Sequence, residues 1–150
     1  MNTIYTIGHG RSPIDAFIAN LTRRGVAVVC DVRSAPRSRW PQFNQAALAR
    51  ALAAAGIGYE HLPECGGKVI APPQELARGL DRIVELAREA PIAIMCSESR
   101  PLTTHATPRA NCHRVAMLSI PLKKRGAHVE HILPDGETIE LDEERVPSEW

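Results

Sequence analysis

The chain has 150 residues, a formal net charge of +1, and 44% apolar against 23% charged residues. That length supplies one ordinary domain, residues 1–150, which needs no disulfide or metal staple to bury a core. The composition excludes disorder, no apolar run approaches the roughly 20 residues of a membrane span, and the first residues lack the pattern of a signal peptide.

Thr3–Ile7 predicts a first strand, ended by Gly8-His9-Gly10. Ser12 reads as an N-cap and Pro13 as the first residue of a helix carrying Ile14, Phe17, Ile18 and Leu21, with Gly25 as its stop. Ala27–Cys30 is a continuous apolar run, the mark of a strand buried on both faces. Asn44 is placed to cap a second helix with Leu48 and Leu52 on one side, ended by Gly56. Ile57–Leu62 predicts a third strand, and Pro63–Pro73 a loop containing Gly66-Gly67. Gln74–Ala90 is the clearest helix, and Ile92–Cys96 the next strand. After a long loop comes a basic helix from about Asn111 to Arg125, which Pro121 should kink or shorten. Val129–Leu133 and Thr138–Leu141 flank Pro134-Asp135-Gly136 and predict a hairpin, so that 134–150 forms an acidic arm and tail. Strands alternating with helices predict an α/β fold: a mainly parallel sheet with helices on both faces, three layers, closed by a C-terminal β-hairpin.

The near-neutral total hides segregated charge. Residues 32–59 hold four arginines and no acid, and residues 99–129 hold six basic residues and no acid. Residues 130–150 hold eight acids against one arginine. The acid-free stretches predict an anionic partner, either a small molecule or a nucleic acid, with no membrane partner and no cofactor. Oligomeric state is not written in any of these features. Four widely spaced cysteines fit a reducing, cytoplasmic setting better than a disulfide framework.

In an open α/β sheet ligands bind beyond the carboxyl ends of the strands. That rule gathers His9, Asp31, Arg33, Arg37, Arg39, Cys96, Glu98 and, at the entry of the next helix, Cys112, His113 and Arg114. Cys96 ends a buried strand near arginines that favour a thiolate, so it is either a nucleophile or an inert buried thiol. Cys112 is a resolving thiol, a metal ligand or a packing residue at a helix start. His9 and His113 are the candidate proton carriers. Arg33, Arg37, Arg39 and Arg114, with Asp31, Glu98 and Asn44, form the candidate substrate-binding set, since guanidinium grips phosphate or carboxylate bidentately; the other reading of Asp31 is a pair with Arg33 or an acceptor of loop N–H groups. Trp40 and Phe43 add faces on which a base can stack. Cys96, His105, Cys112 and His113 are soft ligand types, but their spacing matches no standard zinc pattern. Cys30 reads as core, and Cys65 receives no role.

Thr6-Ile7-Gly8-His9, Asp31-Val32-Arg33-Ser34, Pro41-Gln42-Phe43-Asn44, His61-Leu62-Pro63-Glu64 before Gly66-Gly67, Met95-Cys96 and Cys112-His113-Arg114 occur in that order. This set resembles the domain-of-unknown-function family 488, over the chain to about residue 133. The resemblance implies an α/β domain of unestablished function. It also implies a shorter spacing between the two cysteine motifs, so the interposed Ser97–Asn111 leaves open whether Cys112 meets Cys96. A more distant similarity is to rhodanese-like domains, which carry Asp-Val-Arg after an early strand and a cysteine at the end of a later one. Three functions follow as expectations: a thiol-dependent enzyme on a phosphorylated or otherwise anionic substrate, a nucleic-acid-binding or nucleic-acid-modifying module, and a metal-binding protein.

Overall fold

The computed structural model describes residues 1–102, 110 and 112–142. The expected His105, Asn111 and acidic tail beyond Asp142 lie outside the described residues. Among the described residues six strands build one sheet in the order β3-β2-β4-β1-β5-β6. They are β1 (Ile4–Gly8), β2 (Val28–Asp31), β3 (Gly58–His61), β4 (Ile92–Cys96), β5 (Val129–Ile132) and β6 (Thr138–Ile139). All neighbours are parallel except β5 and β6, which pair antiparallel around a turn with Gly136 at φ +88°. The expected α/β fold with a C-terminal hairpin is therefore present. Its second strand is only two residues long.

β4 shows how the sequence makes three layers. All five of its residues are buried. Successive side chains of a strand point to opposite faces. Ile92, Ile94 and Cys96 accordingly join one apolar cluster, while Ala93 and Met95 join the other. The Cys96 side also receives Leu80, Ile83, Val84 and Ala87 of α3 (Pro73–Glu89) and Leu122 of α4 (Ile120–Lys124). The Met95 side receives Phe17 and Leu21 of α1 (Ile14–Thr22) and Leu48 and Leu52 of α2 (Gln45–Ala54). No helix among the described residues is long and apolar enough to cross a membrane.

Helix ends differ from expectation in instructive ways. Pro13, not Ser12, holds the cap position of α1, and no side chain caps it. Asn44 does precede α2, but its side-chain oxygen accepts the Ser38 N–H at 2.8 Å instead of a helix amide. Gly25 ends α1 as expected, at φ +68°, with the Val26 N–H returning to the Leu21 carbonyl. The basic helix is not a single α-helix. Arg114–Ser119 is π-helical and runs directly into α4. Pro121 sits in the first turn of α4, where its missing N–H costs least.

The topology also places the site. The chain leaves β1 and β2 toward α1 and α2 on one face, and leaves β4 toward the π-helical segment on the other. Because β4 lies between β1 and β2, connections diverge at its carboxyl end, which is where a crevice opens in a doubly wound sheet. Cys96 is the last residue of that strand.

Phe17 is 1% exposed and meets Phe43 edge to face at 5.1 Å between ring centres. Phe17→Ala should cost about 3–5 kcal/mol, read by urea denaturation, and a loss below about 1 kcal/mol would contradict this packing.

Candidate active site

Cys96 stands at the wall of a cavity of about 390 Å³. Arg33, Ser34, Arg37, Gly67, Lys68, Ser97, Glu98, Cys112 and His113 complete most of its lining. The Sγ atoms of Cys96 and Cys112 lie 2.8 Å apart, and Arg114 Nη1 lies 3.2 Å from Cys96 Sγ. The interposed loop therefore does not separate the two cysteine motifs. Leu102 and Ala110 pair as an antiparallel bridge, and Cys112 stands at the sheet edge beside Cys96.

Arg114 is fully buried and no carboxylate pairs with it among the described residues. Its guanidinium instead donates to the Glu98 carbonyl at 2.5 Å, to the Ser99 carbonyl at 3.4 Å and to Cys96 Sγ, while its Nε has no partner. A buried cation needs an anion close by. The Cys96 sulfur is the one placed to supply it. Burial pushes the Cys96 thiol up, but the hydrogen bond from Cys112 and the charge of Arg114 outweigh it, and the thiol falls to about 6. Cys112 moves the other way, raised first by its hydrogen bond to Cys96 and then by burial. One proton is thus shared unequally: Cys96 holds the charge and Cys112 holds the hydrogen.

Arg114 also orients the loop after β4. The carbonyls of Cys96 and Ser97 accept the N–H groups of His9 and Gly10 at 3.0 and 2.9 Å. Those of Glu98 and Ser99 face Arg114. In a trans peptide the N–H points opposite to the C=O. Four consecutive carbonyls held toward β1 and Arg114 therefore turn the next four amides, Ser97 to Arg100, away from them. The Arg100 amide already meets an anion, Glu98 Oε1, at 3.0 Å. Gly8 permits this close approach: a Cβ there would overlap the Glu98 carbonyl and crowd Arg114 Nη1.

Asp31 and Arg33 form the second buried unit. Asp31 accepts the Arg33 amide, Nε and Nη2 at 3.1, 2.9 and 2.8 Å, and the Tyr59 hydroxyl at 2.6 Å. Arg33 Nη1 donates to the Phe43 carbonyl at 2.7 Å. Burial and the bond to Asp31 push the Tyr59 phenol upward. Arg33 lines the cavity, but its charge is matched by Asp31, and Nε, Nη1 and Nη2 each already hold an internal partner. The expectation of a substrate-gripping Arg33 and Asp31 becomes one of a pair that shapes the cavity wall. Asn44 likewise fixes the Arg37–Ser38 backbone and lines neither hollow.

The remaining cations differ. Arg37 and Lys68 are exposed at the cavity, and neither has an acid partner among the described residues. Arg37 also lines an adjoining hollow of about 320 Å³ with His9, Arg39, Trp40 and Ser97. His9 faces that hollow rather than Cys96. Its Nδ1 lies 2.6 Å from the Gly10 carbonyl and its ring stacks on Phe43 at 4.4 Å. Phe43 is wholly buried, so it is no platform for a base. His113 does reach the cavity: Nδ1 lies 3.6 Å from Cys112 Sγ and Nε2 lies 3.1 Å from the Val32 carbonyl. Burial, then Arg114, lower both the case for a charged His113 ring and its pKa. Burial does the same to His9, with Arg33 adding to it.

Two contributors escaped the sequence reading. Ser34 Oγ accepts the amides of Lys68 and Val69 at 3.1 and 3.0 Å, which straps the Gly66–Val69 loop over the cavity. Gly67 lies against the His113 ring so closely that a Cβ would come within 2.6 Å of it. Ser34 lies within Asp31-Val32-Arg33-Ser34, and Gly66-Gly67 is the sequence signal for the close loop contact. Cys30 and Cys65 are buried in the same apolar cluster as Cys96 but do not line its cavity, and burial pushes both thiols up, Cys65 to about 12. Among the described residues the group placed to hold a metal ion is His128, Glu130 and Glu140, which is largely exposed and contains no cysteine.

Residues 13–72 match the family model described as Domain of unknown function DUF488. This bears out the resemblance drawn from the motifs, over α1 to the loop before α3. It includes Asp31–Ser34, Pro41–Asn44 and Gly66-Gly67, and ends before Cys96. No curated protein and no solved structure matches the chain.

The Cys96–Arg114 pair makes stability depend on pH. The folded thiol lies below its unfolded value, so its contribution is complete above the unfolded pKa, near 9, and is lost as pH falls through about 6. Cys96→Ser should therefore cost roughly 3–5 kcal/mol at high pH and markedly less at pH 6. Equal losses at both pH values, in paired urea titrations, would contradict a thiolate partner for Arg114.

Proposed function

We propose that this chain is a thiol-dependent enzyme acting on a small anionic substrate, with the Cys96 thiolate as nucleophile. One observation carries the reading. Cys96 Sγ sits between the Cys112 thiol and a buried guanidinium, at the wall of a cavity edged by Arg37 and Lys68, which have no acid partner among the described residues. A thiolate, not a thiol, attacks electrophiles. Arg37 and Lys68 would hold the substrate's charge, and the amides after Cys96 would meet an oxyanion. His113, beside Cys112, is the better placed of the two histidines to move a proton at this cavity. The distant similarity to rhodanese-like domains, which also put a cysteine at a strand end, agrees with this role.

The test is alkylation by iodoacetamide across a pH series, with the modified residue mapped by mass spectrometry. Cys96 should react first, at a rate that falls only as pH drops through about 6. Arg114→Met should return the midpoint toward an ordinary thiol value of about 8.5, and added sulfate should slow the wild-type reaction. An ordinary midpoint in the wild-type chain would overturn the reading.

A second reading is a nucleic-acid module, which the exposed Arg37, Arg39 and Trp40 around the adjoining hollow favour. Binding of a single-stranded oligonucleotide would then weaken steeply with salt, and Trp40→Ala would lose about 1–3 kcal/mol of it. No binding at low salt removes this alternative.

A further inference from the structure

We propose that Cys96 and Cys112 are a redox dithiol that reduces small anionic disulfides and closes, in doing so, to an intramolecular disulfide. The inference rests on Cys96 being the thiolate of the basic cavity, and adds to it the electron donor and the substrate class.

Three observations carry it. First, the Sγ atoms are 2.8 Å apart, so closing to an S–S bond of about 2.05 Å needs a shift of under about 1 Å. Second, both sulfurs line the same cavity, so a substrate sulfur bonded to one lies within reach of the other. Third, the two thiols are unequal. Arg114 Nη1 lies against Cys96 Sγ, while Cys112 has no such cation of its own at hydrogen-bonding distance among the described residues, so the charge belongs on Cys96 and the hydrogen of the S···S contact on Cys112. That inequality assigns the attacking and the resolving thiol.

The chemistry balances in two exchanges. The Cys96 thiolate attacks one sulfur of R–S–S–R. The substrate S–S bond breaks, and RS⁻ leaves with the electron pair. The mixed disulfide Cys96–S–S–R remains. Cys112 Sγ then attacks Cys96 Sγ, and the proton of Cys112 goes to the second departing sulfur as RSH. The two cysteines lose two electrons, the substrate disulfide gains them, and an external thiol restores the pair.

Charge selects the substrate. Arg37 and Lys68 face the cavity, while the charge of Arg33 is matched by Asp31. Glu98 is the acid in the lining, and the Arg100 amide holds its carboxylate. Carboxylates carried by the disulfide's substituents would meet the two cations.

Oxidation also has a consequence within the fold. Closing the disulfide removes the negative sulfur that faces Arg114 and leaves the guanidinium buried without an anion. Stabilising the thiolate favours the reduced form, so the couple is a weak reductant: an excess of the substrate disulfide drives it to the linkage, and an external thiol readily restores the dithiol.

The test incubates the full chain with dithiodipropionate, hydroxyethyl disulfide or cystamine, which are dianionic, neutral and dicationic. Mass spectrometry and peptide mapping follow the products. The expected product is a Cys96–Cys112 linkage, formed at least roughly tenfold faster with the dianion than with the dication. Cys112→Ser should stop at a mixed disulfide on Cys96. Replacing Arg37 and Lys68 together by Ala should level the three rates. In glutathione buffers, Arg114→Met should shift the equilibrium toward the disulfide. A wild-type chain that ends as a stable mixed disulfide, a linkage through Cys30 or Cys65, or a fastest reaction with cystamine would each overturn the inference. If Cys96 alkylates with a low midpoint yet no linkage forms, the dithiol falls while the thiolate reading stands.

Discussion

A single buried guanidinium organises the edge of the sheet. Arg114 is fully enclosed, has no carboxylate beside it among the described residues, and retains a donor without a partner. An arrangement of that kind is costly, and a well-packed apolar side chain in its place is often neutral or better for stability. What the arginine does in return is local and specific. It holds two successive carbonyls of the loop after β4, and it faces the sulfur of Cys96. Loop geometry and thiolate charge therefore depend on the same residue. Neither can change without the other.

The basic residues of the chain divide by burial into two kinds of work. Arg33 and Arg114 are buried and spent on internal partners: one on Asp31 and the Phe43 carbonyl, the other on sulfur and loop carbonyls. Arg37 and Lys68 are exposed and unpaired among the described residues. The first kind makes the wall, and the second leaves charge at the opening. Ser34 joins them, because its hydroxyl holds the Lys68 amide while its backbone follows Arg33. Elsewhere the basic run ends in ordinary surface contacts. Arg125 pairs with Asp81, and Lys123 donates to the Leu141 carbonyl. Among its described residues the acid-free stretch 99–129 thus divides its cations between the interior, at Arg114, and the surface, at Lys123 and Arg125.

Much of this was legible in the residues, for reasons of periodicity. The apolar run 92–96 could only be a strand buried on both faces, and its end marked the crevice. α3 announced itself by Leu80, Ile83, Val84 and Ala87, all of which are buried. What escaped was set by tertiary contact. Asn44 had the right chemistry for a helix cap, yet the Ser38 amide competes for its oxygen and wins. Phe43 looked available for stacking, but it fills the space between His9 and Phe17. Arg33 has the chemistry of a ligand group, but the other reading the sequence offers, a pairing with Asp31 two residues away, is the one its contacts show, and only the fold reveals that the pair is bidentate. The meeting of Cys112 with Cys96 is a contact at the sheet edge. Periodicity carries no information about such a closure.

The four cysteines make the same point chemically. All four are buried, so burial alone cannot sort them. Cys30 and Cys65 have acids near them, with Arg82 a lesser opposing influence on Cys30, and burial makes their thiols harder to ionise. Cys96 is as deeply enclosed, yet a guanidinium and a neighbouring thiol reverse the balance. Cys112 completes that reversal by giving up any claim to the charge. The reactive thiol is therefore distinguished by its neighbours' charges and protons, which belong to a strand end, a π-helical turn and the loop between them. A nucleophile assembled this way depends on the fold as a whole. Its ionisation is a property of the packed sheet edge before it is a property of the cysteine.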